Sequence, residues 1–241
     1  MKMETRVFPD IDALSHGALE ELLRVMQEAI QQRGRFAIAL SGGHTPAKLY
    51  ALWAQSKDHG AETPWDRVHL FWGDERYVAQ DDPLSNYRMT RETLIEHVAI
   101  PAANVHPVAT NLPTPEKAAE AYEADLRRFF GDDAPAFDLQ LLGLGVEGHT
   151  ASLFPGSPAL EEKKRWVLPV EAPAKPPRRL SLTPVVLNQA RNTFFLVAGA
   201  DKREILTALR NEPDPKASQY PAARIQPAGG TLWLLDQAAG G

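Results

Sequence analysis

The sequence predicts an α/β fold: an open, mainly parallel sheet with helices on both faces, formed as a single domain over residues 1–241. Three observations carry that expectation. Short apolar runs that fit buried strands alternate with longer segments of helical period. Several of the runs end on glycine turns or on charged residues, as strands do when they deliver a ligand site at the carboxyl edge of a sheet. No internal repeat and no low-complexity segment interrupts the pattern, and the 20 prolines are dispersed. The alternation is Rossmann-like in kind.

The elements follow in order. In residues 13–33, "ALSHGALEELLRVMQEAIQQR", Leu19, Leu22, Leu23, Met26 and Ile30 recur at helical spacing and form one apolar stripe. "RFAIAL" is then a short apolar run closed by a glycine turn, a buried strand. "PAKLYALWAQS" returns to helix, with Thr45 expected as its N-cap and Pro46 in its first turn. "RVHLFW" is a strand and "NYRMTRETLIEHV" a helix. "EKAAEAYEADLRRFF" is a helix, with Thr114 as cap and Pro115 in its first turn. "AFDLQLLGLG", "RWVLPVE", "TFFLVAG" and "GTLWLLD" are strands, and "DKREILTALRN" is a helix. "EAPAKPPRR" is expected as an extended surface loop.

Composition narrows the classes of function. Hydrophobic residues make up 44% and charged residues 24%, the profile of an ordinary globular protein. The start, "MKMETRVFPD", shows no apolar signal region, and no apolar run approaches the length of a membrane span. The chain has no cysteine, which excludes disulfides, thiolate catalysis and zinc–thiolate sites and fits a cytoplasmic location. A net charge of −5 argues against a nucleic-acid partner. Positive charge nevertheless gathers in "KPPRRL" and in "DKRE", either as solvated surface or as local sites for an anion. Among the histidines at 16, 44, 59, 69, 97, 106 and 149, no two stand at the short spacing of metal ligands, so no metal site is expected.

Three segments at predicted strand ends carry chemistry. In "ALSGGHTPAKLY", Ser41, Gly42, Gly43 and Thr45 form a turn into a helix N-terminus, whose free N–H groups and partial positive charge suit a phosphate. The spacing is not that of a P-loop. In "HLFWGDERYV", a strand runs straight into Asp74, Glu75 and Arg76, and Ser85 and Asn86 follow at a helix start, as caps or as polar groups facing a ligand. In "LLGLGVEGHTASLFPG", Gly143, Gly145 and Gly148 spell GxGxxG, but Pro155, Gly156 and Pro158 interrupt the helix that a dinucleotide site needs next. The informative residue there is His149, whose neutral imidazole accepts a proton from water at physiological pH. Glu147 is close enough in sequence to orient it. Neither Ser41 nor Ser152 stands in a GxSxG elbow, which disfavours a covalent route.

Together these segments resemble the 6-phosphogluconolactonase family. The resemblance rests on "LSGGHTPAKLY", "FWGDERYV" with "DDPLSNY", "GLGVEGHTASLFPG" and "RRLSLTPVVLNQARNTFFLVAGADKREIL", in family order across about residues 36–206. It implies a metal-independent, cofactor-free enzyme that hydrolyses 6-phospho-D-glucono-1,5-lactone to 6-phosphogluconate, the second step of the oxidative pentose phosphate pathway. It places the general base on His149 and a substrate-region arginine on Arg76. Arg179 and Lys202 become phosphate ligands beside Gly42, Gly43 and Thr45, with Ser41, Asp74 and Asn86 on the substrate side. The family usually has Asp-Gly-His where this chain has Glu147-Gly148-His149, which makes an orienting role for Glu147 less direct. The implied partner is a small sugar-phosphate lactone, with no nucleic acid and no membrane, in a monomer or weak homo-oligomer. Two other readings share the glycine loop and basic positions: a glucosamine-6-phosphate deaminase and a non-catalytic sugar-phosphate sensor. The deaminases carry an Asn-Glu-Pro segment after Gly-His, where this chain has "SLFPG" and no acid before Pro155.

Overall fold

The computed structural model describes residues 3–56, 62–131, 135–210 and 219–241. Its centre is a six-stranded sheet of β1 (Met3–Phe8), β2 (Phe36–Leu40), β3 (Val68–Trp72), β5 (Leu139–Leu142), β8 (Thr193–Val197) and β9 (Thr231–Asp236), in the order β1-β9-β8-β5-β2-β3. Every neighbouring pair is parallel. All five residues of β2 and of β8 are buried, so both faces of the sheet are covered, as parallel sheets require.

The helices are α1 (Ile11–Arg33), α2 (His44–Ala54), α3 (Asn86–Thr93), α4 (Pro115–Phe130), α5 (Pro184–Leu187), α6 (Arg203–Arg210) and α7 (Gln237–Gly240). On α1, Leu19, Leu22 and Met26 form the buried centre of the expected stripe, and Leu23 and Ile30 stand at its half-buried shoulder. The expected cap of α4 is present: the Thr114 side chain accepts from the Lys117 N–H, and Pro115 opens the helix.

Several boundaries differ from expectation. α2 begins at His44, so its N-cap is Gly43, with φ 107°, and Thr45 lies inside the first turn rather than at the cap. The helix expected over residues 86–98 stops at Thr93. Leu94 leaves helical geometry at φ −133° as it buries its side chain completely, and a short 3-10 turn follows at Ile95–His97. The helix expected from Asp201 starts as a 3-10 turn, Ala200–Lys202, before α6; its last expected residue, Asn211, lies outside the described residues, as does His59.

A second, three-stranded antiparallel sheet was not foreseen. It consists of β4 (Asp74–Arg76), β7 (Arg178–Leu182) and β6 (Val167–Glu171), in the order β4-β7-β6. "RWVLPVE" is thus a strand, but of this small sheet, and the end of the expected loop "EAPAKPPRR" is β7. β4 continues β3 across Gly73, whose N–H donates to the Leu40 carbonyl and whose carbonyl accepts from the Leu182 N–H. The small sheet is thereby pinned over the carboxyl end of β3.

The strand order has one reversal. From β2 the chain moves outward to β3, then crosses back to β5 on the other side of β2 and proceeds to β8 and β9. In open α/β sheets the crevice at such a reversal is where ligands sit, because the adjacent loops part there.

Candidate active site

A cleft of about 220 Å³ opens at this reversal, at the carboxyl edge of the parallel sheet. The loop after β2 contributes Ser41 and Gly42, and the loop after β5 contributes Gly143, Leu144, Gly145, His149 and Ala151. Asp74 and Arg76 of β4, Asn86 at the start of α3, Arg179 of β7 and Lys202 after β8 complete it. Eight residues expected from sequence (Ser41, Gly42, Asp74, Arg76, Asn86, His149, Arg179 and Lys202) therefore meet in one place. Gly43, Thr45 and Glu147 do not line it; the first two stand at the adjoining N-terminus of α2.

The β2 loop is held from below. The Tyr50 hydroxyl accepts from the Ser41 N–H and donates to the Ser41 carbonyl, both at 2.9 Å. A β-carbon on Gly42 would lie 2.0 Å from Asn86 Oδ1, so only glycine lets α3 close onto this loop. Asn86 is the first residue of α3, not its cap. Ser85 is the cap, accepting from the Arg88 N–H, and Asn86 Nδ2 instead donates to the Asp74 carbonyl at 2.9 Å.

Glu75 and Asp74 organise the wall beneath the basic groups. The Glu75 carboxylate accepts from the N–H groups of Arg76, Asn86 and Tyr87, each at 2.7 Å, and from the Ser85 hydroxyl. It is 1% exposed. Burial pushes its carboxyl up to about 7, against the pull of those three N–H groups and with the help of Asp74. Asp74 Oδ2 accepts from the Ser152 hydroxyl at 2.6 Å. Ser152, Glu75 and Phe154 are the structural members of the site that sequence reasoning left without a role. None of them faces solvent, and only their tertiary partners reveal what they hold.

The basic groups are arranged for an anion. β4 and β7 pair so that Arg76 and Arg179 stand directly opposite one another. Like charges in that position repel. Arg179 is 7% exposed and, among the described residues, makes no ion pair; its Nε donates to the Pro176 carbonyl at 3.2 Å. Burial lowers its pKa, Asp74 and Glu147 work to raise it, and Arg76 lowers it further. Arg76 donates through one terminal nitrogen to the Leu84 carbonyl at 2.6 Å, and its buried Nε has no partner among the described residues. Lys202 is 2.9 Å from the exposed carboxylate of its neighbour Asp201. From each basic run in the sequence, one residue, Arg179 or Lys202, turns into the cleft.

A contrasting hollow of about 160 Å³ at the opposite edge of the sheet is lined by Glu4, Arg6, Glu21 and Arg24 among others. Those charges already neutralise one another, with Arg6–Glu21 at 2.6 Å and Arg24–Glu21 at 2.8 Å.

The loop after β5 presents His149. The turn closes through Gly148 N–H to the Gly145 carbonyl and Gly145 N–H to the His149 carbonyl, both at 2.9 Å. A β-carbon on Gly145 would fall 1.9 Å from His149 Nδ1, so this glycine makes room for the imidazole. His149 Nδ1 lies 3.1 Å from Glu147 Oε1, within ion-pair range, but off the line of a hydrogen bond. Burial raises the Glu147 pKa, but its own backbone N–H, His149 and Lys202 outweigh this and hold the carboxyl below the usual range.

Among the described residues no cluster of three or more histidine, aspartate or glutamate side chains could hold a metal ion. One pair of histidines does meet, although far apart in sequence. His69 Nδ1 and His106 Nε2 are 3.4 Å apart, and His106 Nδ1 is 2.9 Å from Asp125 Oδ2. The ring centroids are 5.7 Å apart, so the two nitrogens face each other end to end, which suits a shared proton rather than a metal. No member of this chain lines the cleft. No helix among the described residues is long and apolar enough to cross a membrane.

The family model described as glucosamine-6-phosphate isomerases/6-phosphogluconolactonase matches residues 9–234. A curated 6-phosphogluconolactonase of Synechocystis is 48% identical over 217 residues, covering 88% of this chain and 87% of that one. Its counterpart from Nostoc is 43% identical and covers 100% of this chain and 98% of its own. The crystal structure of 6-phosphogluconolactonase from Thermotoga maritima superposes with a TM-score of 0.84 at 31% identity, covering 98% of this chain and 100% of that one. Matched over most of its length in sequence and in fold, this chain belongs to the glucosamine-6-phosphate isomerase/6-phosphogluconolactonase family.

Proposed function

We propose that the protein is a 6-phosphogluconolactonase, hydrolysing 6-phospho-D-glucono-1,5-lactone to 6-phospho-D-gluconate as a single cytoplasmic domain spanning residues 1–241. The observation that carries this reading is one cleft holding a single imidazole, that of His149, together with three cations. Two of these, Arg76 and Arg179, face each other across a strand pair. The relatives named 6-phosphogluconolactonase support the choice of substrate.

Opening a lactone requires water to lose a proton as it attacks C1, an oxyanion to be stabilised, and the ring oxygen to leave with a proton. His149 takes the proton from water as the C1–O bond forms. It returns that proton to the ring oxygen as the C1–O5 bond breaks, so the imidazole ends the cycle neutral and no cofactor is required; the second proton of the water stays on the new carboxyl group, which releases it to solvent at neutral pH. Glu147, with its carboxyl held ionised, favours the imidazolium that exists between the two transfers. Arg76, which lines the cleft beside the imidazole, stabilises the oxyanion. Arg179, Lys202 and the N-terminus of α2 at Gly43 and Thr45 bind the phosphate dianion, and that remote binding energy positions the carbonyl. Ser41, Gly42, Asp74 and Asn86 shape the wall against which the sugar acid lies. The working form we propose is a monomer or weak homo-oligomer.

The test is acid release from freshly made 6-phosphogluconolactone at neutral pH, with glucosamine 6-phosphate run in parallel. Rapid hydrolysis of the lactone and no deamination of the amino sugar is the expected result. Deamination without lactone hydrolysis would reverse the assignment.

A further inference from the structure

Glu147 Oε1 lies 3.1 Å from His149 Nδ1 but off the line of its N–H, so it holds the plane of the ring only loosely, and Nδ1 has no better-aligned partner among the described residues. A base that must meet one water and then one ring oxygen needs its plane fixed by something. Phe154 is the group in contact with that plane. Its ring centroid is 4.4 Å from that of His149, with the two planes only 28° apart. The same ring lies 5.6 Å from the guanidinium carbon of Arg179, and Phe154 is 4% exposed.

The local backbone is shaped to make this stack. Ala151 adopts φ 49°, a left-handed conformation that a residue with a β-carbon takes only under constraint. The Leu153 N–H donates to the Thr150 carbonyl at 3.0 Å, and the Thr150 hydroxyl ties the turn to the Gly143 carbonyl at 2.9 Å. The chain therefore doubles back after His149 and lays Phe154 against the imidazole it has just delivered.

We infer that Phe154 is a positioning residue of the site, its ring face holding the His149 imidazole in plane and seating the Arg179 guanidinium on the same aromatic support. The inference rests on His149 being the base. An aromatic face also attracts cations, so the ring favours the imidazolium formed when water is deprotonated. Leucine would keep much of the volume but not the face. Tyrosine would keep both.

The experiment compares Phe154→Leu, Phe154→Tyr and His149→Ala in steady-state hydrolysis of 6-phosphogluconolactone across pH. Thermal unfolding of each variant is recorded alongside. Phe154→Leu should lower kcat by about 5- to 30-fold, as a loosened base does, and raise KM by a few-fold through Arg179. The acid limb of kcat/KM should move to lower pH by about half a unit, since the cationic form loses its aromatic support. Phe154→Tyr should stay within about threefold of the parent with an unmoved limb. A Phe154→Leu enzyme with parental kcat and pH profile, beside an inactive His149→Ala, would overturn the positioning role and leave the base intact. Equal losses in Leu and Tyr variants would also overturn it, because tight packing and not the ring face would then be what matters. Activity retained in His149→Ala would instead remove the base reading on which the inference depends.

Discussion

Replacing Arg179 by methionine should weaken substrate binding and, at the same time, stabilise the empty protein. Arg179 is 7% exposed, faces Arg76 across the β4–β7 pair, and has no carboxylate in ion-pair contact among the described residues. Burial and Arg76 already depress its pKa, so its charge is held at a cost in the free protein. A phosphate dianion against the Arg179 guanidinium would remove that cost. A charge-assisted hydrogen bond contributes about 1.5–3 kcal/mol, which sets the loss in kcat/KM at roughly 10- to 150-fold. Unphosphorylated gluconolactone has no group for the guanidinium and should lose little. The empty Arg179→Met protein should melt higher than the parent, since an unpaired buried cation opposite another cation has become an apolar side chain. With 6-phosphogluconate at 100 times its dissociation constant, the parent should gain about 2.7 kcal/mol, or roughly 5–10 °C in Tm, and the variant much less. Kinetics on both lactones and thermal scans with and without the product make the assay. If both substrates lose activity in proportion, or if the empty variant melts well below the parent, Arg179 serves the ester or the fold and the phosphate reasoning fails.

Other outcomes follow from the same geometry. His149→Ala should cut kcat by roughly 10²–10⁴ with an unchanged melting temperature, and near-parental turnover in a folded variant would remove the base assignment. Gly145→Ala should cost activity more than stability, because the added carbon would lie 1.9 Å from His149 Nδ1; parental kcat would show that the imidazole has slack. Activity should survive exhaustive chelation, and loss with EDTA that a divalent metal restores would mean the chemistry was misread. Away from the cleft, burial pulls His69 down to about 4, with His106 and Arg35 adding to the shift. Its folded pKa is below the unfolded value near 6.5, so this histidine costs nothing above that pH. As pH falls toward 4 the unfolded state gains the proton first and the fold loses stability, by about 1–2 kcal/mol once partial solvent screening is allowed for. His69→Gln should flatten the acid side of a denaturant-derived stability profile, and an unchanged acid slope would refute the assignment.

The parallel sheet was legible because its strands are continuous apolar runs. "FAIAL" and "TFFLV" need no tertiary information to be recognised as buried on both faces. β1 was missed because it is an edge strand whose Glu4 and Arg6 break the apolar run, and β4 because it is three ionisable residues, Asp74–Arg76. β7 hid behind the prolines of "EAPAKPPRR", where composition suggests a loop and only pairing with β4 and β6 defines a strand. At the site, glycines and polar or ionisable residues at strand ends pointed to Ser41, Gly42, Asp74, Arg76, Asn86 and His149, whereas Arg179 and Lys202 were singled out from their basic runs only by the family resemblance. At Thr45 a Thr-Pro pair imitates a cap, whereas Gly43, two residues earlier at φ 107°, fills that position. The stacking of Phe154 and the grip of Glu75 depend on where the chain returns in space, which no spacing rule encodes.

The pairing of β1 with β9 has a consequence for synthesis. β1 leaves the ribosome well before β9, yet β9 is its partner in the sheet, residue against residue from Met3↔Thr231 to Phe8↔Asp236. More than two hundred residues must be translated between the two, and at ribosomal speeds of about 5–20 residues per second that is a wait of roughly ten seconds or more. During that interval β1 is an unpaired edge, the kind of segment that invites association with other chains. Glu4 and Arg6 put charged side chains on that strand, the kind that blunts an exposed edge against pairing with another chain. The same charges make the run too polar to be recognised as a strand from sequence.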